Sequence, residues 1–141
     1  MIARDRPASA RERLLDAAVR LLAGRRWSQV TMAGVAKDAG VSRQTLYDTF
    51  GLRDQLARAV LLREAGHFLE AVTGELDRNR GDAGAAIEAA FGTFIEQARG
   101  NPLVRAIVID EDPELVALIF EQGVDVLDLA ATRISDALGR H

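Results

Sequence analysis

The 141 residues fit one large domain or a small one joined to another, and 48% hydrophobic content is ample for a packed core. The absence of cysteine excludes disulfides, thiolate metal sites and cysteine nucleophiles, and no apolar run approaches the roughly 20 residues of a membrane span. The formal net charge of -3 hides an asymmetry: residues 1–60 carry eleven Lys and Arg against six Asp and Glu, or +5, and residues 61–141 carry seven against fifteen, or -8. A basic N-terminal half suits a phosphate backbone through counterion release, which an acidic remainder would repel. Charge alone is equally compatible with solvated helix faces.

Low aromatic content, abundant Ala, Leu and Arg, and only three prolines favour an all-α fold. The N-terminus lacks an apolar signal core, so the cytoplasm is the expected location. Residues 1–8, with Arg4, Arg6 and Pro7, are expected to form a flexible arm. Ser9-Ala10-Arg11-Glu12 has capping-box spacing and opens a first helix whose apolar face is Leu14, Leu15, Ala18, Leu21 and Leu22, ended by Gly24. Thr31 suits the N-cap of a short second helix, with Val30 and Val35 spaced as a hydrophobic staple. Gly40 stops that helix, Ser42 caps a third, and Val41 pairs with Leu46 as a second staple. Two helices joined by a short Gly-containing turn make a helix-turn-helix.

Residues 53–79 read as one long helix, followed by a turn at Asn79-Arg80-Gly81-Asp82. A helix from Ala83 to Arg99 presents Ile87, Phe91, Phe94 and Ile95, and stops at Gly100-Asn101-Pro102. A short apolar segment, Leu103 to Ile109, comes next. Asp112-Pro113 opens a last helix to about Leu138, with the stripe Val116, Phe120, Val124, Leu127, Ala131, Ile134, Leu138.

On the third helix Leu46 and Phe50 lie four apart and face inward, which leaves Arg43, Gln44, Thr45, Tyr47 and Thr49 to the outer and flanking faces. Arg forks onto guanine O6 and N7, and Gln onto adenine N6 and N7, in the major groove, which a recognition helix enters by its N-terminal end. Without further support Arg43 and Gln44 are as readily an ordinary solvated first turn, Tyr47 a core residue, and Thr31 and Ser42 simple caps. Caps and phosphate binding are compatible, because a helix N-terminus is an anion site. An acidic Asp48 beside DNA either accepts from cytosine N4 or is repelled by phosphate. Gly34, inside the second helix, is expected to allow a close helix approach. Nothing points to catalysis: His67 and His141 lack the i,i+4 partner of a helical metal site, Asp110-Glu111-Asp112 reads as a solvated loop and helix cap, and neither cofactor nor metal is expected.

The stretch Thr31, Val35-Ala36, Ala39-Gly40-Val41-Ser42, Thr45-Leu46-Tyr47, Phe50 and Leu56 resembles the TetR-family signature in order and spacing, over about residues 9–58. That resemblance implies a helix-turn-helix DNA-binding domain at 9–58, joined by a long fourth helix to a helical effector-binding and dimerisation domain at 59–141. It assigns base edges to Arg43, Gln44 and Thr45, and phosphates to Thr31, Ser42, Tyr47, Thr49 and Arg53. It further implies a homodimer on a palindromic double-stranded DNA operator, released by a small hydrophobic effector. Effector-pocket candidates are His67 as the polar group with Phe68, Val72, Phe91, Phe94 and Ile95, although the same side chains would equally fill a closed core. The last-helix stripe serves either as dimer surface or as an intramolecular core face. Family members continue for several more helices, so the C-terminal half is expected to be shortened or incomplete. A DNA-binding regulator without an effector, and an enzyme or helical interaction module, are the competing functions.

Overall fold

The computed structural model describes residues 8–121 and 123–139, and every regular element among them is helical. The arm expected at residues 1–8 lies, apart from Ala8, outside the described residues. The chain divides into two compact units, Met1–Val60 and Leu61–His141.

In the first unit, α1 (Ala10–Leu22) starts where Ser9 Oγ accepts from Glu12 N at 3.1 Å, and Gly24 beyond its end takes a left-handed φ of 78°. The short helices α2 (Met32–Ala39) and α3 (Arg43–Phe50) have eight residues each, too few to persist alone, so their ends and one buried side carry them. Thr31 Oγ1 accepts from Gly34 N at 3.0 Å, and Ser42 Oγ accepts from Thr45 N at 3.0 Å. Between them Gly40 adopts φ 71°, and its N–H reaches Lys37 O while Val41 N reaches Ala36 O. Those paired bonds close α2 as a Schellman motif, which sets the turn into α3. Val30, Val35 and Leu46 are buried.

Gly34 has a different role from the close helix approach expected of it. A Cβ there would sit 3.0 Å from Thr31 Oγ1 and 3.9 Å from Leu21 Cδ1, so the space it leaves is for the capping hydroxyl. Two contacts tie α1 to its neighbours: Arg20 Nε and Nη2 reach Asp38 Oδ2 at 2.9 and 2.7 Å, and the Arg11 guanidinium lies 5.2 Å from the Phe50 ring centre.

Trp27, which opens a 3-10 turn (Trp27–Gln29), is among the largest fully buried side chains, at 1% exposure. Above it lies Arg53, the first residue of α4 (Arg53–Arg78), 4.8 Å from the ring centre. Arg53 Nε donates to Val30 O at 3.1 Å, and Nη2 donates to Trp27 O. Arg53, a phosphate candidate from the sequence, thus also donates to backbone carbonyls within its own unit. Leu56, Ala57 and Val60 on α4 are buried.

In the second unit α4 continues to Arg78 without interruption at Gly66 or Gly74. Then follow α5 (Ala83–Gly100), α6 (Pro102–Val108), α7 (Pro113–Glu121) and α8 (Gly123–Gly139). Asp82 caps α5 through Ala85 N, and Asn101 Oδ1 caps α6 by accepting from Leu103 N at 2.9 Å and Val104 N at 3.2 Å. Asp112 Oδ1 accepts from Glu114 N at 3.1 Å and is buried, whereas Asp110 and Glu111 are exposed. The single last helix expected from Pro113 is described as two spans, with Gln122 between them outside the described residues. Leu76, Ala86, Ala90 and Ala137 form one buried cluster, against which Val72 packs.

The Arg53→Met variant should lose about 2 kcal/mol of stability, since it removes charged hydrogen bonds and a cation–π contact. Urea unfolding followed by the fluorescence of Trp27, the one tryptophan, measures it. A loss below about 0.5 kcal/mol, the size of a change at an uninvolved surface position, would show the guanidinium to be structurally idle.

Candidate nucleic-acid interface and apolar cavity

Helical geometry places Arg43, Tyr47, Gln44 and Asp48 on one continuous arc of α3 spanning about 140°. All four are exposed, Tyr47 at 48%, while Leu46 on the other side is fully buried. Gln44 Nε2 donates to Asp48 Oδ1 at 2.8 Å. One amide N–H is thereby used and the carbonyl Oε1 with the second N–H remains, the pair that adenine N6 and N7 require. Asp48, left open between cytosine and phosphate by the sequence, here holds Gln44.

The three hydroxyl residues of α3 and its cap are less available. Thr45 is half-buried, its Oγ1 lies 2.9 Å from Ser42 Oγ, and Ser42 Oγ also caps the helix. Thr49 Oγ1 donates to Thr45 O at 2.7 Å, so the proton that a phosphate oxygen would accept is engaged within the helix. Thr31 is exposed with its oxygen on Gly34 N. The structure therefore groups Arg43, Gln44 and Tyr47 outward. Arg11, Arg13, Arg20, Arg25, Arg26, Lys37 and Arg43 are exposed cations of the same unit, Arg20 being paired with Asp38.

The second unit contains a cavity of about 230 Å³ lined by Leu61, Glu64, Ala65, Phe68, Phe94, Leu103, Val104, Ile107, Val108 and Ile119. Phe68 meets Phe94 edge to face at 5.7 Å, and Phe91 stacks on Phe94 at 6.4 Å. Of the six residues expected here, Phe68 and Phe94 line the cavity. Val72 belongs to the Leu76 cluster, Phe91 is 64% exposed, and Ile95 is not in the lining. His67 is not its polar group either: its side chain is 63% exposed, and its Nδ1 lies 3.2 Å from Glu64 Oε2. The buried polar group is Glu64, one helical turn earlier, which the sequence analysis passed over. Three residues of spacing put both on neighbouring positions of α4, and sequence alone does not say which one turns inward.

Among the described residues no cluster of His, Cys, Asp and Glu has the arrangement to hold a metal ion, and no helix is long and apolar enough to cross a membrane.

Comparison with known proteins bears on both features. Residues 14–60 match the family described as bacterial regulatory proteins, tetR family, and residues 82–141 match the C-terminal domain of the bacterial tetracycline repressor. The chain is 35% identical over 128 residues to the HTH-type transcriptional regulator AlkX of Mycobacterium tuberculosis, covering 90% of this chain and 61% of that protein. It is 38% identical over 84 residues to the HTH-type transcriptional regulator BetI of Brucella anthropi, covering 57% of this chain and 43% of the relative. The chain thus spans about three-fifths or less of these curated relatives' lengths. Among solved structures it is similar to the TetR family repressor AlkX from a Dietzia strain, implicated in biodegradation of n-alkanes. That likeness has a TM-score of 0.76 at 37% identity and covers 92% of this chain and 68% of the other.

The cap of α3 gives a direct check on this geometry. Ser42→Ala should cost about 1 kcal/mol and Ser42→Gly only a few tenths, because glycine leaves the cap N–H groups open to water. Equal losses in parallel urea titrations would contradict the assigned role of Ser42 Oγ.

Proposed function

Because the chain belongs to the TetR family of bacterial regulatory proteins, we propose that it is a transcription regulator, not an enzyme, that reads a palindromic operator as a homodimer and leaves it when a small apolar effector binds. The observation that carries the DNA-reading part is the outward arc of Arg43, Gln44 and Tyr47 on a helix whose position is set by the Gly40 turn. Arg43 and Gln44, at the N-terminal end, take base edges, and Tyr47 gives its hydroxyl to a phosphate. Thr31 and Ser42 add the positive ends of α2 and α3. Thr45 and Thr49 contribute only after their internal hydrogen bonds are exchanged, and Arg53, placed by its bonds to Val30 O and Trp27 O, adds a phosphate contact at the start of α4.

The homodimer is supported by the apolar residues that a single chain leaves uncovered. Phe120 is 81% exposed, Leu138 51% and Ile134 37%, all on the stripe of the last two helices; the side chains of Val124 and Leu127 on that stripe lie outside the described residues. The effector reading is supported by the cavity, whose wall is nearly all hydrocarbon and suits an alkyl or similarly apolar molecule. The Dietzia relative, implicated in biodegradation of n-alkanes, is of a kind with such a ligand. Helix α4 takes part in both units, so its tilt is the natural link between cavity and DNA. An effector acts only through a preference for the non-binding tilt, and a hundredfold loss of affinity needs about 2.7 kcal/mol of preference.

A gel shift on the DNA upstream of the protein's own gene, repeated across salt concentrations and with candidate effectors, tests the whole reading. Arg43→Ala and Gln44→Ala should each change base preference at particular operator positions by about 1 to 3 kcal/mol. Tyr47→Phe should weaken binding to every sequence alike; equal weakening of specific and random DNA by Arg43→Ala would refute base reading. Phe94→Trp should fill the cavity and abolish release while operator binding stays near wild type. Release of that variant at the wild-type effector concentration would displace the effector from this cavity.

A further inference from the structure

Glu64 is 6% exposed and lines a cavity otherwise walled by hydrocarbon such as Leu61, Phe68, Phe94 and Ile107. A buried carboxylate needs partners, and its two oxygens are served unequally. Oε2 has Arg63 Nε at 3.3 Å and His67 Nδ1 at 3.2 Å. Oε1 has Asn101 Nδ2 at 3.5 Å, at the outer limit of a hydrogen bond. Resting on the reading of this cavity as the effector site, we propose that its ligand is a neutral apolar molecule ending in a hydrogen-bond donor, a primary alcohol in chemical class, whose O–H donates to Glu64 Oε1.

Charge decides against the alternatives. An anionic end group would be brought against the Glu64 carboxylate in an apolar surround, where like charges repel strongly. A cationic end group would lose its hydration in a hydrocarbon wall whose carboxylate already has Arg63 Nε at 3.3 Å. An ether or a bare alkane fills the cavity and leaves the oxygen as it is. Size sets the chain length: a dry cavity of about 150 Å³ holds benzene, so about 230 Å³ accommodates roughly nine carbon-sized atoms.

The same hydrogen bond reaches the structure around the cavity. Asn101 meets Glu64 through its amide nitrogen and caps α6 through its amide oxygen, and α6 supplies Leu103, Val104 and Ile107 to the wall. A ligand hydroxyl on Oε1 competes with Asn101 Nδ2, so occupancy is felt at the start of α6.

Isothermal titration calorimetry of the 141-residue chain with octan-1-ol, octyl methyl ether, octanoate and octylammonium tests this. A hydrogen bond to a charged group corresponds to a preference of about tenfold or more for octan-1-ol over each of the others. Glu64→Leu should bring alcohol and ether to equal affinity. Glu64→Gln, nearly isosteric, should keep the alcohol preference through its amide oxygen and relieve the penalty on octanoate; circular dichroism confirms that each variant is folded. Octanoate or octylammonium binding as tightly as octan-1-ol, or an undiminished alcohol preference in Glu64→Leu, would overturn the end-group assignment and leave the cavity reading standing. Silence of all four compounds on the wild-type chain would remove the cavity reading and the proposal together.

Discussion

The guanidinium of Arg53, laid over Trp27 and bonded to the carbonyls of Trp27 and Val30, is the contact on which the first unit depends. It joins the first residue of α4 to the connection between α1 and α2, three elements that local sequence does not hold together. A planar group with donors on several sides suits this position, since it can stack on an indole and donate in its own plane at once. Trp27 O also accepts from Val30 N at 3.0 Å, so the guanidinium takes up the second acceptor site of that carbonyl. Leu56 and Val60 on α4 are buried in the same unit as Leu46 on α3.

The parts of the molecule that were legible in the sequence are those whose physics spans three or four residues. Caps at Ser9, Thr31, Ser42 and Asp112 and the stop at Gly40 each satisfy backbone groups of the adjacent turn, so residue type and spacing carry the whole argument. The backbone bonds of Arg53 were not legible because its partners lie 23 and 26 residues earlier, a distance over which composition says nothing. The cavity was half legible for a related reason. Phe68 and Phe94 announce an apolar wall by size, whereas the choice between Glu64 and His67 as its polar group depends on how α4 is rotated against its neighbours.

The two units divide the chemistry as they divide the charge. Seven exposed cations among the described residues and a capped, outward-facing helix belong to the first, and a hydrocarbon-walled cavity with a buried carboxylate belongs to the second. In the proposed function, long-range attraction to phosphate belongs to the first unit and weakens with salt, whereas occupancy of the cavity would be governed by desolvation. Helix α4, which starts beside Trp27 and passes Glu64 and Phe68, is the element that both kinds of interaction share.

On the base-reading role proposed for Gln44, its bond to Asp48 has a consequence for docking. A free glutamine on a helix surface samples many rotamers, and docking it on adenine forfeits that freedom, at about 0.5 to 1.5 kcal/mol for a side chain of this kind. Here the freedom is surrendered when the helix forms, so the amide arrives already oriented and the loss falls on folding rather than on association. The acid that would look misplaced beside a polyanion thus acts as an entropic primer. In the proposed complex its negative charge would slow the approach to phosphate slightly, while the arm it holds still would sharpen the distinction between one base pair and the next.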